Sequence, residues 1–287
     1  MSRSLLSSLQ LYGSLPGIVN KRLNCFASCI LQTIFHTPSV LRHLSTYSCR
    51  CNDRRCLYCS FSNYLRLLKR CISNNCDIDA SKLISDVLQN SHMEFGKMND
   101  PDEFFSVIIS GTQSCVEKDF LKRIFNCSQA DIINCEECGA ERRSDFKSLI
   151  IIYGDDVIHS LQENSREKNC ERTCAACQTK TSMSERSVIT KPPEILYLKP
   201  TQDLKRNFPL ALDIAPFLLE KSRSQVMYHL YSIIVYRGSS KGNGHYFCYC
   251  KVDSRWYCYN DQQVFPVNVN LIPCSGEVTS LYYKKAG

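Results

Sequence analysis

The sequence predicts an α+β fold in which helices come first and an antiparallel sheet follows. Before about residue 127, apolar residues recur at helical spacing, as Phe26, Ile30 and Ile34 do. Beyond it the pattern changes to short runs rich in β-branched and aromatic residues, which are typical of strands. Neither a Pro-rich nor a Gly/Ser-rich linker separates the two parts, so a single domain is expected.

The individual elements are placed by periodicity, by proline and by β-type runs. A helix follows Cys25 and is broken by Pro38. Another helix over 101–111 begins with proline and two acids, a favourable start. Further helices are expected over 65–72 and 78–88. The predicted strands lie in SLIIIY, SVIT, EILYL, HLYSIIVY, HYFCYC and RWYCY.

Composition narrows the class of protein. Of 287 residues, 44% are hydrophobic and 22% are charged, as in soluble globular proteins. No apolar run reaches the roughly 18 residues of a membrane-spanning helix, so no membrane partner is expected. The net charge is +7, but the basic residues are scattered, which does not favour a nucleic-acid partner. Residues 1–16 are interpreted as a lead-in to the fold, the alternative being a targeting peptide.

The 19 cysteines are the strongest compositional signal. Without a secretory signal, so many thiols favour a reducing compartment, the cytoplasm or the nucleus, over a disulfide scaffold. Two Cys-x-x-Cys pairs have the spacing of a closed tetrahedral zinc site, the alternative being chance pairing. These pairs are Cys135 with Cys138 and Cys174 with Cys177. A second, less regular group leaves open a second zinc site or free thiols; it comprises Cys49, Cys51, Cys56 and Cys59.

Cys25 is a candidate nucleophile because of its place at the start of the first predicted helix. Asn24 before it is a favourable N-cap residue, which puts Cys25 in the first turn. There the helix dipole and unpaired backbone amides stabilise a thiolate, the form that attacks a carbonyl. The alternative is a buried apolar cysteine, which is the interpretation given to Cys29 one turn later.

A histidine in the last part of the chain supplies the base that a nucleophilic cysteine needs. His245 follows a Gly-rich loop, and a turn near Val252–Asp253 places it opposite Asn260 on the next strand. An amide oxygen there orients the imidazole, and Asp261 could add charge or take over the role of Asn260. The register cannot be fixed from sequence. Taken alone, His245 is more readily explained as a hydrogen-bonded core or loop histidine.

Taken together, these segments resemble the signature boxes of the ubiquitin-specific protease family. The stretch 17–32 keeps the glycine, asparagine, cysteine, aromatic residue and Leu-Gln of that family's cysteine box. The stretches 238–249 and 256–264 match its histidine box, and 99–104 resembles its Q-D-A-H-E-F segment. Because the matches are colinear from residue 17 to residue 283, the series is far more specific than any one box.

The resemblance implies a papain-like cysteine protease fold with a helical thumb, a β-rich palm and zinc-ribbon fingers. A single catalytic domain over 17–287 would have its thumb at about 17–126, its fingers at about 127–185 and its palm at about 186–287. The zinc would stabilise the fold at the tip of the fingers and would take no part in hydrolysis. No redox or nucleotide cofactor is implied.

The resemblance also implies a role for each site residue. Cys25 would be the nucleophile, and His245 the general base and later acid. Asn260 would orient His245, with Asp261 beside it. Asn20 would donate its side-chain amide to the oxyanion, and such a preorganised donor can lower the barrier by about 3–4 kcal/mol.

Ubiquitin, or a protein that carries it, is the partner that the resemblance implies. Its tail has two arginines and ends in Gly-Gly, and Asp100 and Glu103 match family positions that contact this tail. A helix-capping role explains both acids equally well. The Gly-rich loop over 238–244 would border the narrow channel that admits only Gly-Gly, and Gly244 and Tyr246 would be substrate-binding residues. The modified protein, the chain linkage and any activating partner are left open.

Departures from the family pattern keep other functions under consideration. Arg22 and Leu23 replace Gly-Asn before the nucleophile, and Arg22 is bulky where a close approach favours glycine. Asp102 replaces a histidine. A catalytically weak or inactive ubiquitin-binding scaffold is therefore the first alternative to a deubiquitinating hydrolase. A zinc-ribbon nucleic-acid-binding protein is the second, but it leaves the His245 hairpin unexplained.

Overall fold

The computed structural model describes residues 14–49, 51, 56–111, 119–149, 151–154, 156–200, 208–220, 224–240 and 243–287. They form two compact units. The first consists of the described parts of Met1–Ile124 and Tyr231–Tyr282, and the second of those of Phe125–Leu230 and Tyr283–Gly287. All but the last three residues of the predicted lead-in lie outside the described residues. The division into thumb, fingers and palm stays a prediction.

The described elements are mostly helical before residue 127 and mostly strands after it, so the predicted α+β class is confirmed. The helices are α1 (Cys25–Phe35), α2 (Pro38–Thr46), α3 (Leu57–Asn74), α4 (Ser81–Leu88), α5 (Pro101–Gly111), α6 (Phe120–Phe125) and α7 (Val157–Ser165). The strands are β1 (Cys127–Cys135), β2 (Glu141–Ser148), β3 (Ile151–Tyr153), β4 (Lys168–Thr173), β5 (Lys180–Lys191), β6 (Ile195–Pro200), β7 (Ala211–Asp213), β8 (Met227–Ser240), β9 (Asn243–Val252), β10 (Arg255–Asn260), β11 (Gln263–Val267) and β12 (Glu277–Lys285).

The first unit is organised around α1, whose residues are all buried. This helix packs on β9 and on α5, which explains why its apolar residues are not confined to one face. Pro38 breaks the helical pattern as predicted, and it also opens α2, where its missing N–H leaves no hydrogen bond unmade. The helix predicted over 101–111 is confirmed as α5.

Two predicted helices have different ends in the structure. α3 is longer than the predicted 65–72 and is followed by the C-cap residue Asn75, whose φ of +51° is the left-handed conformation of a helix terminus. α4 begins at Ser81 and not at residue 78. The reason is that Ile78 forms a parallel β-bridge with Ile18, so its backbone is already paired outside the helix.

The strands of the first unit follow the order β11-β10-β9-β8-β12. The predicted strands HYFCYC and RWYCY are confirmed within β9 and β10, which form an antiparallel hairpin. β8 and β9 are also antiparallel. The sheet thus brings the C-terminal part of the chain against α1, the helix that begins with the candidate nucleophile.

The second unit contains a four-stranded antiparallel sheet in the order β2-β1-β5-β4. Its small apolar cluster consists of Ala130, Ile132 and Val188. Sequence analysis missed β2 and β4 because almost all of their residues are exposed and polar, which removes the alternation that marks a strand. β3 and β6 pair in parallel. Among the described residues, no helix is both long and apolar enough to cross a membrane.

Candidate active site and cysteine clusters

Cys25 is the first residue of α1, as the sequence predicts, and only 1% of its surface is exposed. At this position its backbone N–H has no intrahelical acceptor. The loop before it is held by segments distant in sequence. The Val19 N–H donates to the Ile78 carbonyl at 2.8 Å, and the Ile18 N–H donates to the Asp261 carbonyl at 2.9 Å. The nucleophile loop is therefore fixed before α1 begins.

Asn24 occupies the N-cap position of α1, but the predicted side-chain cap is wrong. Its backbone (φ −90°, ψ 10°) is not extended, so the side chain is not aimed at the amides of the first turn. Within the described ranges, both polar atoms of this side chain lack hydrogen-bond partners, although the residue is buried. The interaction at this helix end comes from Asn20, whose Oδ1 accepts the Asn24 backbone N–H at 2.9 Å.

His245 in β9 and Asn260 at the end of β10 are hydrogen-bonded, with 2.6 Å between Nε2 and Oδ1. The predicted register of their hairpin is wrong by two residues. The loop begins at Asp253, whose φ of +53° is left-handed, and Tyr259 pairs with Cys248. Asn260 therefore lies two positions along the hairpin from the level of His245. The imidazole reaches it along the diagonal of one sheet face, a distance that a long side chain spans.

The Cys25 side chain lies near enough to the imidazole of His245 to raise its pKa. Since Nε2 of His245 is hydrogen-bonded to Asn260, Nδ1 is the ring nitrogen that remains to accept the proton of the Cys25 thiol. Interaction with the Cys25 side chain raises the pKa of His245 to about 9, against partial burial, which lowers it; Asn260 and Asp261 add to the rise. This pair can hold a thiolate beside an imidazolium, the charge state that a nucleophilic cysteine needs.

Asp261 and Asn20 lie beside this pair. Asp261 Oδ2 is 3.8 Å from His245 Nε2, and it accepts a hydrogen bond from Asn20 Nδ2 at 3.0 Å. The Asn20 amide is therefore held at both its oxygen and its nitrogen. An amide nitrogen has two hydrogens, so one N–H of Asn20 remains for a further acceptor. All five predicted catalytic residues come together in the first unit.

The predicted Gly-rich loop before His245 is largely strand, because β8 and β9 extend into it. Only residues 241–242 between them lie outside the described residues. There is a steric reason for glycine at position 244 in this sheet, since a Cβ there would overlap the Tyr236 hydroxyl. The Tyr236 ring lies 4.8 Å from the Tyr246 ring. Glycine at position 244 therefore makes room for the Tyr236 ring close to the histidine.

Asp100 and Glu103, the predicted tail-contacting acids, are both exposed near the start of α5. Asp100 Oδ1 accepts the Asp102 backbone N–H at 2.7 Å, so Asp100 does act as a cap. Burial raises the pKa of Tyr246, and the charge of Asp100 adds to the rise. Asp100 is therefore within electrostatic range of the predicted channel. Contact of either acid with a substrate tail stays a prediction.

Sequence reasoning missed two features of the site. Met98 Sδ lies 3.9 Å from Cys25 Sγ, so a thioether covers part of the thiol; no sequence pattern pointed to it. Leu23 has a left-handed φ of +52° and is 53% exposed. The steric conflict was expected at Arg22, but the conformation that favours glycine is one residue later. The glycine and asparagine of the family pattern were the signal that could have located it.

The cysteine group in the second unit has the geometry of a tetrahedral metal site. Its four Sγ atoms lie within 4.8 Å of one another. Cys135 and Cys177 are 4.0 Å apart, and Cys138 and Cys174 are 3.8 Å apart. Four thiolates at about 2.3 Å from zinc would be about 3.8 Å from one another. The four sulfurs therefore fit a zinc ion.

The backbone around these cysteines explains how the two pairs form. Each Cys-x-x-Cys segment is a tight turn that ends in a left-handed residue, Gly139 with a φ of +69° and Gln178 with a φ of +59°. The Gly139 N–H donates to the Cys135 carbonyl, and the Gln178 N–H donates to the Cys174 carbonyl, each at 2.9 Å. The two turns are thus alike in backbone geometry, and both present sulfurs to the same point.

The second cysteine group, in the first unit, forms a similar tetrad. Its Sγ atoms also lie within 4.8 Å of one another. Cys49 and Cys56 are 3.9 Å apart, and Cys51 and Cys59 are 3.7 Å apart. Cys56 and Cys59 are positioned by the start of α3, whose N-cap is Cys56. The sequence left open a second zinc site or free thiols. This geometry favours the metal site, because free thiols have no reason to surround a single point.

Comparison with known proteins gives a consistent result. The family model described as ubiquitin carboxyl-terminal hydrolase matches residues 16–283. Ubiquitin carboxyl-terminal hydrolase 25 of Arabidopsis thaliana is 26% identical over 91% of this chain and 46% of its own length. Ubiquitin carboxyl-terminal hydrolase 42 of Homo sapiens is 24% identical over 93% of this chain and 22% of its own length. The chain thus spans less than half the length of these relatives.

Two solved structures show the same fold. The SAGA Ubp8/Sgf11/Sus1/Sgf73 DUB module bound to ubiquitin aldehyde contains a chain that matches with a TM-score of 0.82 and 19% identity, over 97% of this chain and 71% of that one. The same module bound to monoubiquitin gives a TM-score of 0.84 and 18% identity, over 97% and 70% of the two chains.

Proposed function

The chain belongs to the ubiquitin carboxyl-terminal hydrolase family, and from this premise we propose that it is a thiol hydrolase that cleaves the bond after the C-terminal glycine of ubiquitin. The observation that supports this most directly is the meeting of Cys25 with His245, which comes from a strand more than two hundred residues later. His245 is in turn hydrogen-bonded to Asn260 at 2.6 Å. A cysteine, a histidine and an orienting amide are the groups that acyl transfer through a thioester requires.

The reaction has two stages. In the first, the Cys25 thiolate attacks the carbonyl carbon of the last glycine, and the carbonyl oxygen becomes an oxyanion. The bond to the lysine nitrogen then breaks, and His245 gives its proton to the leaving amine. In the second stage neutral His245 takes a proton from water, whose oxygen attacks the thioester. The products are a free carboxylate on ubiquitin and the regenerated thiolate–imidazolium pair.

Two N–H donors are placed to stabilise the oxyanion. One is the free N–H of the Asn20 side chain, and the other is the backbone N–H of Cys25 at the start of α1. Because both are fixed before substrate arrives, they can stabilise developing charge without reorganisation. Asn260 has a different task, which is to hold His245 in the tautomer that leaves Nδ1 facing the thiol.

Ubiquitin is the substrate that the site favours. The Ubp8-containing modules that share this fold were solved with ubiquitin aldehyde and with monoubiquitin. In the present chain, Asp100 and Glu103 are exposed near the start of α5, with Asp100 within electrostatic range of Tyr246, and both acids could pair with the two arginines of the ubiquitin tail. Gly244 lacks a side chain next to the reacting histidine, which suits a substrate that ends in Gly-Gly.

Zinc is the metal that we propose for both cysteine tetrads. Closed sets of four thiolates suit structural zinc and leave no open position for a reacting water. Cys135, Cys138, Cys174 and Cys177 would hold one ion, and Cys49, Cys51, Cys56 and Cys59 would hold the other. All cysteines with described side chains are free thiols. This supports a reducing location, the cytoplasm or the nucleus.

Hydrolysis of a lysine isopeptide is expected to decline as the pH rises through about 9. His245, whose pKa is raised to about 9, then loses the proton that it must give to the amine. The raised pKa of His245 also contributes to the free energy of unfolding. This contribution is fully present below about pH 6.5 and is lost as the pH rises through about 9. The measurement is kcat/KM against pH for ubiquitin linked to a lysine peptide.

The variant Asp261→Asn tests the origin of this alkaline limit. The Asp261 carboxylate contributes to the raised pKa of His245. Replacing it with an amide is therefore expected to move the alkaline decline in kcat/KM to lower pH. The matched control is Asp253→Asn, the same change in the hairpin loop of this sheet. An alkaline limit that stays in place in Asp261→Asn, or that moves equally in both variants, would argue against the assigned cause.

The proposed function is tested by release of aminocoumarin from the ubiquitin C-terminus and by labelling with a ubiquitin C-terminal electrophile. The wild-type protein is expected to be active and to gain the mass of one ubiquitin, whereas Cys25→Ala is expected to do neither. Cys29→Ala, one turn further along α1, is the control for a change of thiol alone. A wild-type protein that binds ubiquitin without hydrolysis or labelling would instead be the inactive scaffold.

A further inference from the structure

An exposed patch next to the nucleophile takes no part in the proposed hydrolysis. It consists of Arg22, Leu23 and Phe95, and we call it the rim patch. The guanidinium carbon of Arg22 lies 5.8 Å from the centre of the Phe95 ring. Leu23 is 53% exposed and Phe95 is 38% exposed. Two exposed apolar side chains thus lie beside an exposed arginine, Leu23 next to it in the chain and Phe95 next to it in space, which makes this a candidate surface for binding another molecule.

The rim patch is within reach of any substrate bound at the thiol. Leu23 is two residues before Cys25, so the two residues are at most about 7 Å apart along the chain. The segment 95–98 follows the same path, since Phe95 lies against Arg22 while Met98 Sδ is 3.9 Å from Cys25 Sγ. An extended peptide covers about 7 Å with two residues. The patch therefore lies within reach of groups two or three residues from the scissile bond.

The backbone at Leu23 indicates that this exposure is imposed by the fold. Its φ of +52° crowds the Cβ of an L-residue against the carbonyl. Strained residues of this kind persist only where the surrounding structure fixes them, and they gather at functional sites. In the free protein an exposed leucine gains little from burial that would offset this strain. Contact with an apolar group of a bound molecule would supply that burial.

Charge indicates which part of the substrate the rim patch meets. Lys21 is paired with Asp79 at 2.7 Å. Lys97 is paired with Glu94, also at 2.7 Å. Arg22 has no ion-pair partner in the part of the chain that the structure describes, so it is the uncompensated cation of this region. It would repel the two arginines of the ubiquitin tail, and it would attract an acidic segment.

We propose that the rim patch binds the acceptor polypeptide, the protein whose lysine carries ubiquitin, and that it selects acceptors with an acidic and an apolar side chain next to that lysine. This inference rests on the proposed hydrolase function and assigns a preference for the leaving group. Arg22 pairs with the acidic side chain, and Leu23 and Phe95 bury the apolar one.

The test compares two synthetic substrates with the full chain. In both, ubiquitin is joined to the lysine of a short peptide; one peptide has aspartate and leucine next to the lysine, and the other has arginine and serine. The wild-type kcat/KM is expected to be about tenfold higher for the first, the combined effect of one exposed ion pair and one apolar contact. Arg22→Glu is expected to lower this preference to about two- to threefold, because the apolar contact remains, and Leu23→Ser with Phe95→Ser is expected to lower it to about twofold.

The controls separate this inference from the proposed function. Phe265→Ser with Leu271→Ser removes two other exposed apolar side chains of the same unit, 45% and 66% exposed, and should keep the wild-type ratio. Each variant is also assayed on ubiquitin–aminocoumarin, so that a folding defect is seen as a loss on all substrates. A wild-type ratio near one, with aminocoumarin released normally, would overturn the acceptor preference alone. No release of aminocoumarin by the wild-type protein would overturn both.

Discussion

Asn20→Ala is expected to lower kcat by about 10²–10³-fold, the usual effect of removing one oxyanion donor, and to change KM little. In the structure Asn20 Oδ1 accepts the Asn24 backbone N–H at 2.9 Å, and Nδ2 donates to Asp261 at 3.0 Å. The second N–H is therefore held in one direction before the substrate binds. Alanine removes the proposed donor and leaves the residues proposed to bind ubiquitin in place, so the loss should fall on the chemical step.

Two variants separate donation to the oxyanion from support of Asp261. If Asn20 acted only by holding Asp261, then Asn20→Ala would cost nothing further in an Asp261→Asn background. We expect Asn20→Ala to cause most of its loss in kcat in the Asp261→Asn background as well. Asn63→Ala is the matched control, since Asn63 is exposed on α3 and its Oδ1 accepts from Arg66. A value of kcat within about threefold of wild type for Asn20→Ala would exclude the donor role.

The part of this site that the sequence predicts is the set of residues, which the resemblance to the family's signature boxes implies. A thiol at a helix start and a histidine followed by an amide can be read from residue types and order. Their exact pairing cannot, since it depends on backbone geometry that single residues do not specify. The hairpin between His245 and Asn260 illustrates this, because the left-handed Asp253 shifts the register by two residues from the prediction.

Contacts between distant segments explain most of the remaining differences. The start of α4 moves to Ser81 because Ile78 pairs with Ile18, sixty residues before it in sequence. Met98 covers the thiol of Cys25 without any local pattern to indicate it. Elements with one clear period and a proline start, such as α5, were predicted to the residue because local interactions decide their ends.

The polar strands of the second unit were missed for a different reason, which concerns stability. β2 and β4 form the edges of the sheet β2-β1-β5-β4, and their side chains are nearly all exposed. At the end of the sheet the buried cluster is formed by Cys135, Cys174 and Met183. So few apolar side chains cannot offset the conformational entropy of ordering four strands. With the proposed zinc bound, the cysteine tetrad would be the stabilising element that replaces a core.

Cys174→Ser is therefore expected to unfold the outer part of this sheet and to lower the zinc content from two ions per chain to one. Structural zinc contributes on the order of 10 kcal/mol to folding, so three remaining thiolates should not keep the ion or the fold. Zinc is measured by elemental analysis. Hydrogen–deuterium exchange of β1, β2, β4 and β5 should become fast, while exchange of α1 and β9 should stay slow.

Cys170→Ser is the matched control, because Cys170 packs against the same cluster and is not one of the four ligands. It should keep both ions and slow exchange. Cys51→Ser should also remove one ion, but its fast exchange should appear at the start of α3 and leave β1 and β5 protected. If Cys174→Ser kept both zinc ions, or if Cys170→Ser destabilised the sheet equally, the stability of these strands would come from packing of the cysteine side chains and not from a bound metal. The two tetrads are therefore distinguished by the segments in which each variant makes hydrogen–deuterium exchange faster.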